Sequence, residues 1–587
     1  MPRIAVVNRE KCQPEKCSAE CKNFCPGVRI GDETIILDEE EKPIISEELC
    51  TGCGICVHKC PFNAIHIINL PEELENQCVH RYGPNGFALY GLPIPREGKV
   101  SGIIGRNGIG KTTALKILGG KLRPNLGQEE ASTDEELKEF FKGSELQAYF
   151  EELDELEISY KPQTITRLPS KVEGEIGSLL DEVDERGKVD QLAEDLDLKE
   201  ILDRKLSSLS GGELQRLGIA AATAKDSNLY YFDEPSSHLD VYQRLNVART
   251  IRKLAEEGKA VIVVEHDLAT LDYMTDYVHI VYGTPNAYGV ISEPRGVRIG
   301  INVYLEGYLK EENVRFRSKS IRFKTRAPTS YQEGAKSLFE FPHLTKSFEN
   351  FKLDVEGGDI SQGEIVGVVG PNATGKTTFA KLLAGVLDPT SGKLKLDFKI
   401  AYKPQYPQTE FQGTVQEYLI TQVPKFNQNF EVEVLEPLGI DEIFESQIQS
   451  LSGGELQRTV IASCLGQSSD LYLFDEPSAY LDVEHRLRMA RVLNRVIESK
   501  NAAALVIDHD VLAIDYLSDR LLVFTGAPGV EGNAMGPLEM RKGMNLFLQE
   551  VGVTFRRDPQ TGRPRVNKPH SRLDEEQKEE GEYYYTK

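Results

Sequence analysis

The sequence predicts an α/β protein in which one domain is used twice, after a small α+β domain at the amino terminus. The first observation behind this is a set of short motifs that occurs in the same order in two stretches of the chain. The second is that each set opens with an apolar run, typical of a buried parallel strand, followed by a glycine-rich loop and a helix-like segment. The third is that eight of the ten cysteines fall between residues 12 and 60, ahead of both sets.

The two glycine-rich loops, residues 105–112 and 370–377, fit the pattern G-x-x-x-x-G-K-[ST]. The backbone N–H groups of such a loop wrap phosphates, its lysine neutralises the β and γ oxygens, and its threonine hydroxyl binds Mg²⁺. We therefore expect ATP and Mg²⁺ at two sites. The residues predicted to hold them are Gly105, Asn107, Gly108, Gly110, Lys111, Thr112 and Thr113 in the first loop, and Gly370, Asn372, Gly375, Lys376, Thr377 and Thr378 in the second.

A pair of acidic residues follows a second apolar run in each set: Asp233 and Glu234 in the first, Asp475 and Glu476 in the second. A buried parallel strand places such carboxylates at the carboxyl edge of the sheet, beside the glycine loop. The aspartate can then bind Mg²⁺ and the glutamate can polarise the attacking water. We therefore predict Glu234 and Glu476 as general bases of ATP hydrolysis.

A histidine follows a further apolar run in each set, at His266 and His509, where its imidazole can hydrogen-bond the γ-phosphate or the attacking water. A lone histidine there is more often structural, but its recurrence at matching positions favours a catalytic role. Aromatic residues suited to stacking on adenine lie ahead of each glycine loop: Tyr82, or alternatively Phe87, in the first set and Phe348 in the second.

The sequence Leu-Ser-Gly-Gly-Glu-Leu-Gln-Arg occurs twice, at residues 209–216 and 451–458, and Tyr-Lys-Pro-Gln precedes it each time. This signature is similar to that of the ATP-binding-cassette family, in which the signature of one cassette closes over ATP held by the other. The resemblance implies two composite sites, with Lys111 facing Ser452 and Lys376 facing Ser210. It adds these residues as ligands of the nucleotide, with both glutamines also at Mg²⁺: Gln163, Ser210, Gly211, Gly212 and Asp240, and Gln405, Ser452, Gly453, Gly454 and Asp482.

The first set carries an insertion at about residues 128–157, between the glycine loop and the glutamine. Capping signals at Thr133 and Ser144 predict two short helices. The segment has twelve acidic residues against two lysines, and its apolar residues recur at helical spacing. Two interpretations remain open: the apolar stripe packs the helix pair onto its own domain, or the acidic face docks a partner with a basic surface.

The eight clustered cysteines form two runs, and the second has the C-x2-C-x2-C-x3-C-P pattern of bacterial ferredoxins, in which the fourth cysteine ligates the other cluster. This predicts two [4Fe–4S] clusters, and zinc is the alternative, because four thiolates also suit Zn²⁺. The spacing of the first run differs from that of ferredoxins, which argues against ordinary electron carriage. The predicted ligand sets are Cys12, Cys17, Cys21 and Cys60 for one cluster, and Cys50, Cys53, Cys56 and Cys25 for the other.

Composition limits the possible partners. The formal net charge is −23, which argues against general DNA binding, and no apolar run is long enough for a membrane span. Two basic segments, residues 295–326 and 538–572, nevertheless follow the two motif sets and resemble each other in sequence. They are interpreted as a two-part hinge that packs along the seam between the two domains, or as arginine clusters that grip RNA phosphates. The Glu-rich tail from Asp574 is expected to be disordered.

Two cluster motifs, two cassettes, an insertion in the first and paired basic segments together resemble the RNase L inhibitor family over about residues 1–570. The resemblance implies a cytoplasmic, monomeric ATPase that recycles ribosomes: closure of the cassettes moves the iron–sulfur domain and splits the subunits. Its implied partners are the ribosome, mainly the small subunit with its rRNA and proteins, a release factor or its stalled-ribosome relative, and initiation factors. The implied domains are a ferredoxin-like domain (1–75), a first cassette (76–293), a hinge segment (294–330), a second cassette (331–527), a second hinge segment (528–572) and an acidic tail (573–587).

Two other classes of function fit parts of the sequence. In an ATP-driven electron donor, hydrolysis would gate electron transfer from the clusters to an acceptor. In a transporter, the chain would be the ATPase subunit beneath a separate permease. A ferredoxin-like domain has no evident place in the transporter, and the first cysteine run argues against the electron donor.

Overall fold

The computed structural model describes residues 3–70, 74, 77–153, 155–165, 168–170, 172–323, 337–394, 396–407 and 410–584. Part of the predicted first hinge segment, residues 324–330, lies outside these ranges, as do residue 154 of the insertion and residues 585–587 of the tail. The chain forms two compact units. One contains residues 1–235, 250–266 and 274–318, and the other contains residues 236–249, 267–273 and 319–587.

The amino-terminal domain combines short strands and short helices, as the α+β prediction requires. Strand β1 pairs antiparallel with β4, and β2 pairs antiparallel with β3. Its elements are β1 (Arg3–Val7), α1 (Glu20–Asn23), α2 (Pro26–Ile30), β2 (Ile35–Leu37), β3 (Pro43–Ile45), α3 (Ile55–Lys59) and β4 (Ile65–Asn69). The alternate residues Ala5 and Val7 of β1 are buried against cysteine-bearing segments, so this small domain has a core that includes its thiols.

The first motif set folds into an α/β domain. Its elements are β5 (Cys78–Arg81), β6 (Ala88–Tyr90), β7 (Val100–Ile104), α4 (Lys111–Leu118), α5 (Asp134–Phe140), α6 (Leu146–Glu152), β8 (Ile158–Lys161), α7 (Ile176–Val183), α8 (Val189–Asp195), α9 (Gly211–Ala224), β9 (Leu229–Asp233), α10 (Val241–Glu256), β10 (Ala260–Val264), α11 (Leu268–Met274), β11 (Tyr277–Thr284) and β12 (Tyr288–Ile291). Three short strands and a helix of the hinge region follow: β13 (Arg295–Gly296), α12 (Val297–Glu306), β14 (Tyr308–Leu309) and β15 (Val314–Arg315).

Within the described residues, the strands of this domain form one sheet in the order β5-β6-β12-β11-β7-β10-β9-β8, with β13 paired to β11. Strands β11, β7, β10, β9 and β8 run parallel. Every residue of β7, β9 and β10 is buried, which explains why these strands are continuous apolar runs in the sequence. The predicted α/β class is therefore confirmed.

The second motif set repeats this architecture. Its elements are β16 (Ser337–Phe341), β17 (Leu344–Ser347), β18 (Lys352–Val355), β19 (Gly358–Ser361), β20 (Ile365–Val369), α13 (Lys376–Leu383), β21 (Ile400–Lys403), α14 (Val415–Gln422), α15 (Gln428–Phe430), α16 (Glu436–Leu438), α17 (Gly453–Gly466), β22 (Leu471–Asp475), α18 (Val483–Lys500), β23 (Ala503–Ile507), α19 (Val511–Leu517), β24 (Arg520–Thr525) and β25 (Glu531–Glu539). Its sheet has the order β17-β18-β25-β24-β20-β23-β22-β21 among the described strands, with the parallel strands in the same sequence as in the first domain.

The insertion in the first domain forms the two predicted helices, α5 and α6. Thr133 caps α5 in a reciprocal capping box with Glu136. The apolar residues of the insertion are buried in the same core as the glycine-loop helix α4, and the rings of Phe141 and Phe150 stack with their centroids 4.4 Å apart. The packing interpretation is thus confirmed, while the acidic side chains Glu135 and Glu151 remain at the surface.

The two basic segments are equivalent elements of the fold. In the first, α12 packs on β11, and in the second, α20 (Met540–Val551) packs on β24. The glycine of the repeated pattern explains the close approach: a Cβ on Gly300 would lie 3.2 Å from Val278, and one on Gly543 would lie 2.8 Å from Leu521. The repeat therefore marks a helix that packs closely on an interior strand of its own sheet.

The arginines of the second basic segment are largely used inside the protein. Arg563 is fully buried, and both it and Arg565 donate to the carboxylate of Asp272. These arginines lie on or beside β27 (Pro564–Val566), which pairs with β26 (Phe555–Arg557). The phosphate-gripping interpretation is therefore wrong for these two residues, because a buried guanidinium paired with a carboxylate is not available to RNA.

The expectation of a disordered tail is wrong. Residues 572–580 form α21 (Arg572–Glu580), and Tyr584 is buried with its hydroxyl against Asp515 and Arg557. Two polar residues of α21 attach this helix to the start of β26. The Asp574 carboxylate accepts a hydrogen bond from the hydroxyl of Thr554, and Gln577 donates to the backbone carbonyl of Phe555. The acid-rich composition concealed these few buried contacts.

Residues 83–98, which are rich in glycine and proline, contain a strand of the first sheet. Strand β6 within this segment pairs with β5 and β12. Ile4 and Val6 of β1 share a hydrophobic cluster with Tyr90 of β6 and Val290 of β12. Glu47 and Arg81 form an ion pair across the same boundary. The amino-terminal domain is therefore packed onto the first sheet.

Phe150→Ala should weaken the core of the first domain. Truncation of a buried phenylalanine removes ring packing and leaves a cavity, at a cost of about 3 kcal/mol. Hydrogen exchange read by mass spectrometry should show faster exchange in peptides of α5, α6 and β8. The matched control is Glu151→Gln, an exposed change on the same helix. Unchanged exchange in Phe150→Ala would contradict the packing role.

Candidate functional site

Each glycine loop links the central strand of its sheet to a helix, so its lysine lies at the carboxyl edge of the sheet. The Lys111 Nζ donates to the carbonyls of Gly105 and Arg106, and the Lys376 Nζ donates to that of Gly370 at 2.8 Å. Gly110 precedes the first helix with φ +92°, a left-handed conformation that favours glycine. These two loops have the strand–loop–helix context of a phosphate-binding loop.

The predicted acid pairs lie at the end of the neighbouring buried strands. Glu234 and Glu476, which directly follow β9 and β22, have φ values of +47° and +48°. Left-handed backbone is costly for a residue with a side chain and is concentrated at functional sites. In both domains it turns the chain sharply at the point where the carboxylate enters the site.

The general-base candidates are each contacted by the two side chains that the motifs predict. Gln163 Nε2 donates to Glu234 Oε1 at 2.8 Å, and His266 Nε2 lies 3.3 Å from the same oxygen. Burial opposes ionisation of Glu234, but His266, Lys111 and Gln163 together outweigh it and lower its pKa to about 2. The base is therefore ionised at neutral pH, as proton abstraction requires.

The second domain repeats this geometry. Gln405 Nε2 donates to Glu476 Oε1 at 2.7 Å, and His509 Nε2 lies 3.4 Å from that oxygen. Burial again opposes ionisation, while the histidine, Lys376 and Lys403 lower the pKa of Glu476 to about 2. The structure thus brings together the base, glutamine and histidine predicted for each set.

The aspartates of the acid pairs fit Mg²⁺. Both carboxylate oxygens of Asp233 and of Asp475 are buried and have no hydrogen-bond partner among the described residues. Burial raises the pKa of Asp233, and the Thr112 hydroxyl and Lys111 only partly offset it. Burial likewise raises the pKa of Asp475 to about 6, against the hydroxyl of Thr377. Buried carboxylates with unused oxygens beside a threonine are the donor set that Mg²⁺ prefers.

Each signature motif begins a 14-residue helix. Ser210 caps α9 and Ser452 caps α17, each in a capping box with the glutamate three residues on. Both serines are exposed or half-buried, and the glycines after them form the first helical turn, where backbone N–H groups have no intrahelical partner. Such a terminus suits an anion.

The remaining predicted residues have these surroundings. Asp240 Oδ2 accepts a 2.7 Å hydrogen bond from the backbone N–H of Asn372 in the second glycine loop, and Asp482 caps α18 through the N–H of His485. Tyr82 and Phe348 are each 47 % exposed. The Tyr82 hydroxyl lies 3.3 Å from that of Thr113, so this ring lies beside the loop as an adenine platform would.

Phe87 has a different environment from Tyr82. A Cβ on Gly110 would lie 2.8 Å from the ring of Phe87, so this ring packs against the loop itself. Phe351 stands in the same relation to Gly375 in the second domain. Sequence reasoning missed Phe351, although its spacing from the second loop was a usable signal.

Sequence reasoning also missed two pairs of buried polar residues behind the acid pairs. Lys161 and Lys403 donate to the carbonyls of the acid pair of their own domain, and burial lowers the pKa of each to about 8. Gln215 and Gln457 donate to the carbonyl of the general base. The signal was present in the sequence, because both residues recur at identical places in duplicated motifs.

The eight cysteines of the amino-terminal domain segregate into the two predicted sets. The pKa of Cys56 is raised to about 11 by burial and by the nearby thiols of Cys50, Cys53 and Cys25, and these four line one cavity. For Cys21, burial raises the pKa to about 11, together with the other three thiols of its set, Cys60, Cys12 and Cys17.

No group of three or more potential ligands in the described residues is close enough to hold a single metal ion. A mononuclear zinc site draws its sulfurs to about 2.3 Å from one ion. A [4Fe–4S] cluster takes one thiolate at each of four iron atoms, so its ligands stand further apart. The four cysteines around one cavity match in number the four thiolates that such a cluster requires.

Comparison with known proteins gives matching domains. Residues 95–237 and 354–479 match the ABC transporter family model. Residues 2–33 match a possible Fer4-like domain in RNase L inhibitor, RLI, and residues 43–66 match a 4Fe-4S binding domain. Among the described residues, no helix has both the length and the apolar character needed to cross a bilayer.

The chain is similar to full-length relatives. It is 52 % identical to an uncharacterized ABC transporter ATP-binding protein of Methanocaldococcus jannaschii, over 99 % of this chain and 97 % of the relative. A model of ribosome-bound archaeal Pelota and ABCE1 matches with TM-score 0.93 and 54 % identity over 99 % of both chains. The crystal structure of archaeal ribosomal stalk protein aP1 with archaeal ribosome recycling factor aABCE1 matches with TM-score 0.84 and 51 % identity, over 88 % of this chain and all of the other.

Fold, site and matched domains define an ATPase with two ATP-binding cassettes and a 4Fe–4S-binding domain at its amino terminus. The chain belongs to the RNase L inhibitor family, as the sequence resemblance predicted.

Glu234→Gln and Glu476→Gln should each slow ATP hydrolysis and leave nucleotide binding intact. The amide keeps the shape of the side chain but cannot take a proton from water, and loss of a positioned general base costs about 10²–10⁴ in rate. Phosphate release and fluorescent-nucleotide binding measure the two effects. Normal turnover in the double variant would refute the assignment, and Glu151→Gln serves as the matched control.

Cys53→Ser should reduce the bound iron and the cluster absorbance near ~400 nm, a general property of thiolate-bound iron. Cys78→Ser is the control, because Cys78 lies on β5 outside both cysteine sets. Iron content and absorbance should be measured on protein purified without oxygen. A full iron count in Cys53→Ser would contradict the ligand assignment.

Proposed function

We propose that this chain is an ATP-hydrolysing ribosome-recycling factor that splits ribosomes into subunits after termination or stalling. The observation that carries the proposal is the presence, in one chain, of two complete base–glutamine–histidine constellations and a cysteine-rich domain packed onto the first cassette. Likeness over the whole chain to an archaeal ribosome recycling factor supports the ribosome as the object of that ATPase.

We further propose two composite, Mg²⁺-dependent ATP sites. In the first, Lys111 and Glu234 would be completed by the signature at Ser452, and in the second, Lys376 and Glu476 by the signature at Ser210. The serine at the start of each 14-residue signature helix supports this, because the N–H groups of the first helical turn suit a phosphate. A ligand that bridges two cassettes binds their closed arrangement better than the open one, and only such a difference shifts the equilibrium.

Within each site, the chain's residues have separate tasks. The aspartate, threonine and glutamine of each cassette would hold Mg²⁺, which when bound neutralises phosphate charge. The glutamate would accept the proton of the attacking water, and the histidine would orient the glutamate and the γ-phosphate. Two [4Fe–4S] clusters, held by the two cysteine sets, would stiffen the amino-terminal domain as a wedge between ribosomal subunits.

The proposed partners are the ribosome, chiefly its small subunit, together with a release factor or its stalled-ribosome relative, and initiation factors after splitting. Exposed basic side chains of the hinge region, Arg298, Arg315 and Lys542, would contact rRNA phosphates. Each such contact adds to the salt dependence of binding. We place the protein in the cytoplasm, where ribosomes are recycled, and expect a monomer with two internal cassettes.

Sucrose-gradient sedimentation tests this function. Purified ribosomes that carry a release factor should separate into free subunits when the chain and ATP are added. When a non-hydrolysable ATP analogue replaces ATP, the chain should co-sediment with the small subunit. The double variant Glu234→Gln/Glu476→Gln should stay on the small subunit in the presence of ATP, because it cannot hydrolyse the ATP and so cannot reopen its cassettes. The proposal would be contradicted if the ribosomes stayed intact and the chain remained unbound at the top of the gradient under every nucleotide condition.

A further inference from the structure

The backbone carbonyl of each general base is held by two buried donors. The Glu234 carbonyl accepts from Gln215 Nε2 at 2.6 Å and from Lys161 Nζ at 3.3 Å. The same lysine also donates to the carbonyl of Asp233 at 2.9 Å. The base is thus fixed through its main chain as well as through its side chain.

The second cassette repeats these contacts closely. The Glu476 carbonyl accepts from Gln457 Nε2 at 2.7 Å and from Lys403 Nζ at 3.1 Å, and Lys403 donates to Asp475 at 2.7 Å. Because two independent copies preserve the same four atoms, the arrangement is a feature of the site and not an accident of local packing.

These donors lie where the backbone is strained. A left-handed glutamate is energetically costly and persists only where its surroundings hold it. The N–H of Glu234 donates to the carbonyl of Val264 on β10, so the residue is fixed on both sides. The peptide that follows Glu234 sets the direction of its side chain. A small rotation there would move the carboxylate away from the attacking water.

The glutamine connects this peptide to the signature helix. Gln215 lies on α9 and is almost fully buried, whereas Ser210 at the start of the same helix is accessible to solvent. A helix is stiff over so short a distance, so a shift at its first turn reaches Gln215. In the second cassette Gln457 and Ser452 lie at the same two places on α17.

We propose that Gln215 and Gln457, supported by Lys161 and Lys403, are positioning residues that set the general base according to the state of the signature helix. The inference rests on the proposed composite sites. There, the helix that carries Ser210 closes the second site, while its Gln215 holds the base of the first. Nucleotide bound at the second site would therefore orient the base of the first site through α9. In the same way, nucleotide bound at the first site would orient the base of the second site through α17.

A purely structural role predicts a different pattern. If Gln215 only stabilised α9, its loss would disturb Ser210 and hence the second site. If it positions Glu234, its loss slows the first site. The two roles are separated by measuring each site alone, in chains where the base of the other site is already removed.

The experiment measures steady-state ATP hydrolysis by the full chain over a range of ATP concentrations, which gives both kcat and KM. Gln215→Leu, which keeps the bulk and removes the donor, is combined with Glu476→Gln to isolate the first site and with Glu234→Gln to isolate the second. We expect the first-site rate to fall at least about tenfold, since slight misplacement of a catalytic group can cost ~10²-fold. The second-site rate and the KM of both should stay within about twofold.

Gln457→Leu is the mirror variant and should slow only the second site, and Gln191→Leu on α8 is the control for the substitution itself. A rate is compared only for variants whose thermal unfolding temperature is unchanged. If Gln215→Leu does not fold, Gln215→Met is used in its place. Loss at the second site alone, at both sites equally, or at neither would overturn the inference. Full hydrolysis in Glu234→Gln or Glu476→Gln alone would refute the general bases themselves, which is a separate failure.

Discussion

The parallel register of neighbouring buried strands is the constraint on which both catalytic sites depend. Strand β10 lies between β7 and β9, with Val264 opposite both Ile103 and Asp233. All three strands therefore end at one level, and the glycine loop, the acid pair and the histidine, which come after them in the chain, meet at one edge. Because sheet pairing is set by many hydrogen bonds and a dry apolar core, the sheet brings the site residues together independently of the contacts among their side chains.

Duplication shows which details the chemistry requires. The two cassettes differ in length and in most surface residues, yet the contacts around Glu234 and Glu476 agree to within a few tenths of an ångström in distance and within a degree in φ. The insertion with α5 and α6 lies in one copy only and packs into the core around α4. The contacts around the general base therefore do not need the insertion, because the second cassette makes them without it.

Much of the fold and site can be predicted from the sequence because the decisive signals are local. Continuous apolar runs predict β7, β9 and β10, and motif residues such as Lys111 and His266 lie at positions that the strand ends dictate. The recurrence of Lys161 and Gln215 in both motif sets marks them as important, but their contacts could not be predicted, since these are made to backbone carbonyls and depend on a left-handed residue. The order of the tail was missed for a related reason: a few buried polar contacts, such as Gln577 with the Phe555 carbonyl, outweigh an acidic composition.

The shared cluster of Ile4, Val6, Tyr90 and Val290 determines what it would cost to separate the amino-terminal domain from the first sheet. A domain joined only by a flexible linker would move freely relative to the rest of the chain. Here the amino-terminal domain packs on the first sheet through an apolar cluster, and the Glu47–Arg81 ion pair lies beside that cluster. Separating the two would expose these apolar side chains to water and break the ion pair, so any such movement must be coupled to a process that supplies the free energy for it.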